Sequence, residues 1–116
     1  MDFDYVVSEK NGYIVVSLAG RLDESVLPKL SALHQQLENN EVSKRLVLNM
    51  QELAEFSKDV VRAFALLQKS VRDKKIEMRV CSLQPSVKDV LEKAGVLRER
   101  EVMDNLQTAL LSLAQK

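Results

Sequence analysis

The sequence predicts an α/β fold built on one mixed sheet, and three observations predict it. Two runs rich in apolar and β-branched residues flank Asn11-Gly12, a strong hairpin turn signal. Downstream, apolar residues recur at helical spacing in four segments. Short apolar runs separate those segments. The expected order is β-β-α-β-α-β-α-(β)-α. The hairpin is antiparallel because its connection is so short. The alternation that follows favours parallel strands with right-handed crossovers. The expectation is a single-layer mixed sheet of four to five strands, hairpin first and then mainly parallel. About four helices cover it, and residues 1–116 make one domain.

Each element has its own signal. Phe3 to Ser8 reads as a first strand, and Tyr13 to Leu18 as a second that Ala19-Gly20 ends. Val26, Leu30, Leu33 and Leu37 then form one helical stripe. Asp23 or Ser25 can cap that helix, and Pro28 is tolerated only in its first turn, so it starts near Ser25. Lys44 to Met50 contains the buried strand Leu46-Val47-Leu48, and Gln51 to Phe56 reads as a loop or turn. Ser57 is the expected N-cap of a second helix that reaches about Asp73. Its apolar stripe is Val61, Phe64, Leu67 and Val71, with Gln68 on the polar edge.

Ile76 to Leu83 is the fourth strand, and Pro85 stands at the first position of a third helix. Val87, Val90, Leu91 and Ala94 face inward there, and Gly95 closes the helix. Arg98 to Val102 is expected as a short edge strand. Asp104 or Asn105 caps a last helix with Leu106, Leu110 and Leu113 inward.

Composition narrows the function classes. Lys plus Arg and Asp plus Glu each total 17, so the net charge is zero. That balance argues against nucleic acid or an anionic membrane as the partner, although a local basic patch is compatible with it. Five scattered Phe and Tyr and no Trp supply no stacking platform for bases. No apolar run is long enough to cross a membrane. The acidic start Met1-Asp2-Phe3-Asp4 is unlike a signal peptide, so the expected location is the cytoplasm.

Catalytic and cofactor chemistry is not indicated. Cys81 is the one cysteine, so neither a disulfide nor a zinc spacing is expected, and it reads as a small apolar strand residue. The first strand-to-helix turn, Gly20-Arg21-Leu22-Asp23-Glu24, has one glycine and acids where phosphate would sit. His34 is the one histidine, at the edge of the first helix's stripe, with neither an orienting partner nor a nucleophile elbow in view. No enzyme activity, cofactor or metal is expected. The surface where Gln51 to Phe56 feeds the helix at Ser57 is the better candidate, since α/β domains place function beyond the carboxyl ends of their strands.

Four segments carry a resemblance. Gly20-Arg21-Leu22-Asp23 resembles the Gly-x-Leu/Ile-Asp segment of the STAS domain family, named for sulfate transporters and anti-sigma factor antagonists. Leu46-Val47-Leu48-Asn49-Met50 is similar to a strand that in the family ends in Asp-Leu. Ser82-Leu83-Gln84-Pro85-Ser86-Val87 and Val90-Leu91-Glu92-Lys93-Ala94-Gly95-Val96-Leu97 resemble its segment after the fourth strand and its next helix end, with Val96 inserted. Their order and spacing span nearly the whole chain and imply a STAS-like fold.

The resemblance implies an anti-sigma factor antagonist of bacterial type. Such a protein binds an anti-sigma factor, often serine-kinase-like, and is switched off by phosphorylation at the start of the second helix. The family pattern there is Asp-Ser-Ser/Thr-Gly-Leu, and this chain has Ser57-Lys58-Asp59-Val60-Val61. Asp59 takes the phosphoacceptor's position and Val60 that of the glycine. Ser57 is the alternative acceptor, against its bland role as a cap. Asp59 can imitate the phosphorylated state, mark a constitutive binder, or mark a change of partner. The implied protein-binding surface is Arg21, Asp23, Phe56, Ser57, Lys58, Asp59, Val60, Arg62 and Ala63. The alternative is a non-catalytic STAS subunit of another signalling or transport complex, or a homodimer, which an outward-facing patch of Leu66 and Ala63 would favour.

Overall fold

The computed structural model describes residues 2–40 and 43–114. Among them, five strands form one sheet in the order β1-β2-β3-β4-β5. They are β1 (Asp4–Lys10), β2 (Tyr13–Leu22), β3 (Arg45–Phe56), β4 (Glu77–Cys81) and β5 (Val102–Met103). The β1–β2 hairpin is antiparallel and every later pairing is parallel. Four helices alternate with the strands: α1 (Leu27–Glu38), α2 (Val61–Asp73), α3 (Pro85–Lys93) and α4 (Leu106–Ala114). Asn11 and Gly12 both take positive φ, +54° and +83°, which the two-residue hairpin turn requires. The expected α/β class and order of elements along the chain are what it adopts.

The sheet separates two cores of unequal size. Alternate residues Ile14, Val16 and Leu18 of β2, Leu46 and Leu48 of β3, and Met78 and Val80 of β4 face α1, α2 and α3. The helices meet them with Leu30, Leu33 and Leu37, with Phe64, Leu67 and Val71, and with Val87 and Leu91. Phe56 and Phe64 pack edge to face, ring centroids 5.3 Å apart. On the opposite face α4 covers Val47 and Cys81, using Ala109 and Leu113. Burial raises the Cys81 thiol above its ordinary pKa, as expected for an inert packing residue.

Two strands run further than their patterns suggest. β2 continues through Ala19-Gly20 to Leu22, and β3 continues through Gln51 to Phe56, where a loop was expected. The extensions pair with each other, Ala19 with Glu52 and Leu22 with Phe56, across register shifts. Those irregularities hide the strand from its sequence: Met50, Leu53 and Phe56 are buried at a spacing of three rather than two. β4 pairs with β3 only as far as Asn49 opposite Cys81. Beyond that point two side chains leading into α3 satisfy the outer edge of β3. Gln84 Nε2 donates to the Gln51 carbonyl at 2.8 Å and Ser86 Oγ to the Ala54 carbonyl at 3.0 Å.

Several smaller expectations need correction. The fourth strand is Glu77–Cys81, shorter than Ile76 to Leu83, and Ser82 leaves it at φ +60°. Arg98 to Val102 is mostly a 3-10 turn over Glu99–Glu101, with strand only at Val102–Met103. Ala94 is exposed rather than inward, because it already lies at the C-cap of α3. Of the two expected caps of α4, Asn105 takes the role, accepting from the Thr108 amide at 2.8 Å.

Gln68 is buried, not at a polar edge, and among the described residues its Nε2 has no hydrogen-bond partner. An unsatisfied buried amide costs about 1–3 kcal/mol. Gln68→Met keeps the length and removes the donor, so it is expected to raise stability by about 1 kcal/mol. Thermal unfolding followed by circular dichroism should show a midpoint higher by roughly 4 °C.

Candidate functional site: the edge where β2 and β3 end

The extensions of β2 and β3 carry their last residues to the N-terminal end of α2. The Ser57 amide donates to the Leu22 carbonyl at 2.8 Å, which ties the two strand ends together. Ser57 Oγ accepts from the Asp59 amide at 3.1 Å, the N-cap geometry expected for it, and a single 3-10 turn over Lys58–Val60 leads into α2. The Asp59 carboxylate lies 3.4 Å from Ser57 Oγ, which donates to it. The cap and the first-turn carboxylate therefore hold each other, and both favour the positive end of the helix.

On the neighbouring turn Asp23 caps the 3-10 segment Glu24–Val26 that opens α1. It accepts from the Ser25 amide at 3.0 Å and from Ser25 Oγ at 2.5 Å. The bond from the Ser25 hydroxyl first, and then that from its amide, hold the Asp23 carboxyl below its ordinary pKa. Arg21 reaches across to Glu55, Nε to Oε2 at 3.4 Å, as an exposed pair that adds little stability. Between these side chains runs a shallow groove of about 220 Å³, with Leu22 and Phe56 in its wall and Ser86 and Val90 of α3 closing its far side.

Most of the nine expected contact residues come together here. Arg21, Asp23, Lys58, Asp59 and Arg62 are exposed, and Ser57 is half-buried. Phe56 and Val60 are not surface residues. Phe56 is 4% exposed and Val60 is fully buried, so they fix the edge from beneath. Val60 fills the main core instead of enlarging an outer patch. Ala63 also packs partly against that core, and Leu66 stands exposed beside His34, Lys69 and Asp73. Of the two residues named for self-association, Leu66 is exposed and Ala63 half-buried.

Glu55, Ser86 and Val90 join the groove although the sequence did not place them there. The Ser82–Val87 segment was legible as a motif, but its proximity to β3 follows only from the bonds of Gln84 and Ser86. His34 lies 3.3 Å from Glu38 on the same helix, an i,i+4 neighbour on the side of α1 facing α2. No group of three or more His, Cys, Asp or Glu is placed to hold a metal among the described residues. No helix among them is long and apolar enough to cross a membrane.

The family model of the STAS domain matches residues 4–109. The chain belongs to the STAS domain family. Solved structures share its fold. A Moorella thermoacetica RsbS carrying a serine-to-glutamate change is 22% identical with a TM-score of 0.77, covering 95% of this chain and 94% of that one. An anti-sigma factor antagonist from Mycobacterium paratuberculosis is 18% identical with a TM-score of 0.75, covering 98% and 96%. The Bacillus cell-fate determinant SpoIIAA in its phosphorylated form is 12% identical with a TM-score of 0.72, covering 97% and 100%. At these identities the likeness speaks for the fold. STAS domains are regulatory rather than catalytic, in keeping with a sequence that carries no catalytic motif.

Proposed function

We propose that this STAS domain is a protein-binding regulator of the anti-sigma factor antagonist kind. It docks through the edge formed by Arg21, Asp23, Ser57, Lys58, Asp59 and Arg62 on an anti-sigma factor or serine-kinase-like partner. The observation that carries the reading is the exposed Asp59 carboxylate in the first turn leading to α2, where the family places its phosphoacceptor. A carboxylate is no substrate for a serine kinase. It supplies one negative charge, against about −1.5 to −2 for a phosphoserine. The Ser57 hydroxyl is already engaged by the Asp59 amide and carboxylate, which supports a cap and not a new acceptor. Docking is thus without the conventional phosphorylation switch.

The test uses the purified serine-kinase-like anti-sigma factor of the same organism. Wild type is expected to bind it with ATP present and to keep its unmodified intact mass. Asp59→Arg inverts a charge at the centre of the edge and is expected to weaken binding at least about tenfold, or 1.4 kcal/mol. Equal binding by both proteins would remove the edge from the interface. A phosphate adduct on wild type that Ser57→Ala abolishes would restore a phosphorylation switch.

A further inference from the structure

A second concave site lies at the other end of the molecule. α2 runs from the docking edge at Val61 to Asp73, and beyond its C-terminus opens a cleft of about 490 Å³. Its walls are the chain entering β4 and the turn before β5. Five cations line it, Arg72, Lys75, Arg79, Arg98 and Arg100, against the two carboxylates Glu77 and Glu101. In a chain with 17 residues of each sign, an excess of three positive charges in one cleft is a local concentration.

The seven groups divide by what already holds them. Arg72 clamps the buried Glu101 with two parallel bonds, Nε to Oε2 at 3.1 Å and Nη2 to Oε1 at 2.6 Å. Arg79 gives Nε to Ser112 Oγ at 2.9 Å and Nη1 to the Met78 carbonyl at 2.9 Å, and its Nη2 lies 3.8 Å from Glu77. These residues build the cleft. The side chains of Lys75, Arg98 and Arg100 make no hydrogen bond or ion pair among the described residues. Lys75 follows a helix C-terminus, where positive charge is ordinarily favourable, so it needs no ligand. That account does not extend to Arg98 and Arg100, which belong to a different segment and are held over the same cleft by the Arg72–Glu101 clamp.

We propose that this cleft binds an oligophosphate anion through its charges alone. Guanidinium forks match phosphate oxygens bidentately, and a concave site with three uncompensated cations suits a compact, multiply charged anion. No Phe or Tyr lines the cleft, and all three glycines lie elsewhere. Nothing there would read a nucleobase, so inorganic tripolyphosphate and ATP should bind with similar affinity. The site is separate from the docking edge and stands whether or not that edge binds an anti-sigma factor.

Calorimetric titration of the full chain at low ionic strength, with inorganic tripolyphosphate as probe, tests this. Saturable one-site binding that weakens with added salt is expected, and Arg98→Gln/Arg100→Gln should weaken it at least tenfold. Both arginine side chains are exposed and without partners among the described residues, so the variant should keep its thermal midpoint. Asp59→Arg, at the far end, should bind the probe as wild type does. Absence of saturable binding, or equal binding by the double variant, overturns the proposal. Tighter binding of a tetraglutamate peptide than of tripolyphosphate also overturns it, in favour of an acidic protein segment. ATP binding far tighter than tripolyphosphate would overturn recognition by charge alone.

Discussion

Gly20→Ala is expected to destabilise the protein by about 3–5 kcal/mol, whereas Gly12→Ala costs only about 1 kcal/mol. Both glycines hold positive φ, +91° at Gly20 and +83° at Gly12, so both variants pay a similar backbone strain. The difference is space. A Cβ on Gly20 would lie 2.3 Å from the Asp2 carbonyl oxygen and 3.1 Å from the Phe3 Cα, while one on Gly12 meets nothing within 4 Å. The obstacle at Gly20 is backbone and cannot swing aside. Relief requires the N-terminal segment to lift, which exposes Phe3, now fully buried, and breaks the 3.0 Å bond from Lys29 Nζ to the Phe3 carbonyl. Exposing a buried aromatic costs about 3 kcal/mol by itself. Urea unfolding of the two variants side by side reads the difference. A Gly20→Ala as stable as Gly12→Ala would mean that Phe3 contributes little to the core.

The second large effect is expected at Arg72. Glu101 is 7% exposed, and Arg72 donates to both of its carboxylate oxygens. Arg72→Met leaves a buried carboxylate without its counter-charge, at a cost of about 2–4 kcal/mol. Arg72→Met/Glu101→Leu removes both charges and should recover most of that loss, since a buried pair contributes little over an apolar replacement of similar volume. Chemical denaturation of the wild type, both single variants and the double variant forms a complete cycle. A coupling near zero would show that the pair is solvated in solution and that the turn before β5 is held by other contacts.

The fold was legible where local chemistry and packing agree. Asn11-Gly12 turned the chain, Pro85 and Gly95 bounded α3, and the Leu30-Leu33-Leu37 and Phe64-Leu67-Val71 stripes met the sheet as their spacing implied. It was illegible where one element's pattern depends on another. The outer half of β3 reads as polar loop because bulged pairing with β2 buries every third residue and α3 side chains satisfy the far edge. The same dependence moved Phe56 and Val60 from the expected surface into the core, because the position of the strand end decides which side of Ser57 faces out. Gln68 defied its polarity for want of any sequence signal. The basic cleft escaped because Arg72, Lys75 and Arg79 are far along the chain from Arg98 and Arg100, and only the parallel entry of β4 and β5 brings them together.

The bridge between Asp2 and Arg21 has a practical side. It brings the start of the described chain alongside Arg21, an arginine of the proposed docking edge. If the proposed edge binds its partner, a purification handle or fluorescent fusion attached there would emerge beside the footprint and compete with it sterically. α4 ends at Ala114, on the helix that covers the opposite face of the sheet from α1, α2 and α3. Fusions for binding measurements, and surfaces for immobilisation, belong at that end.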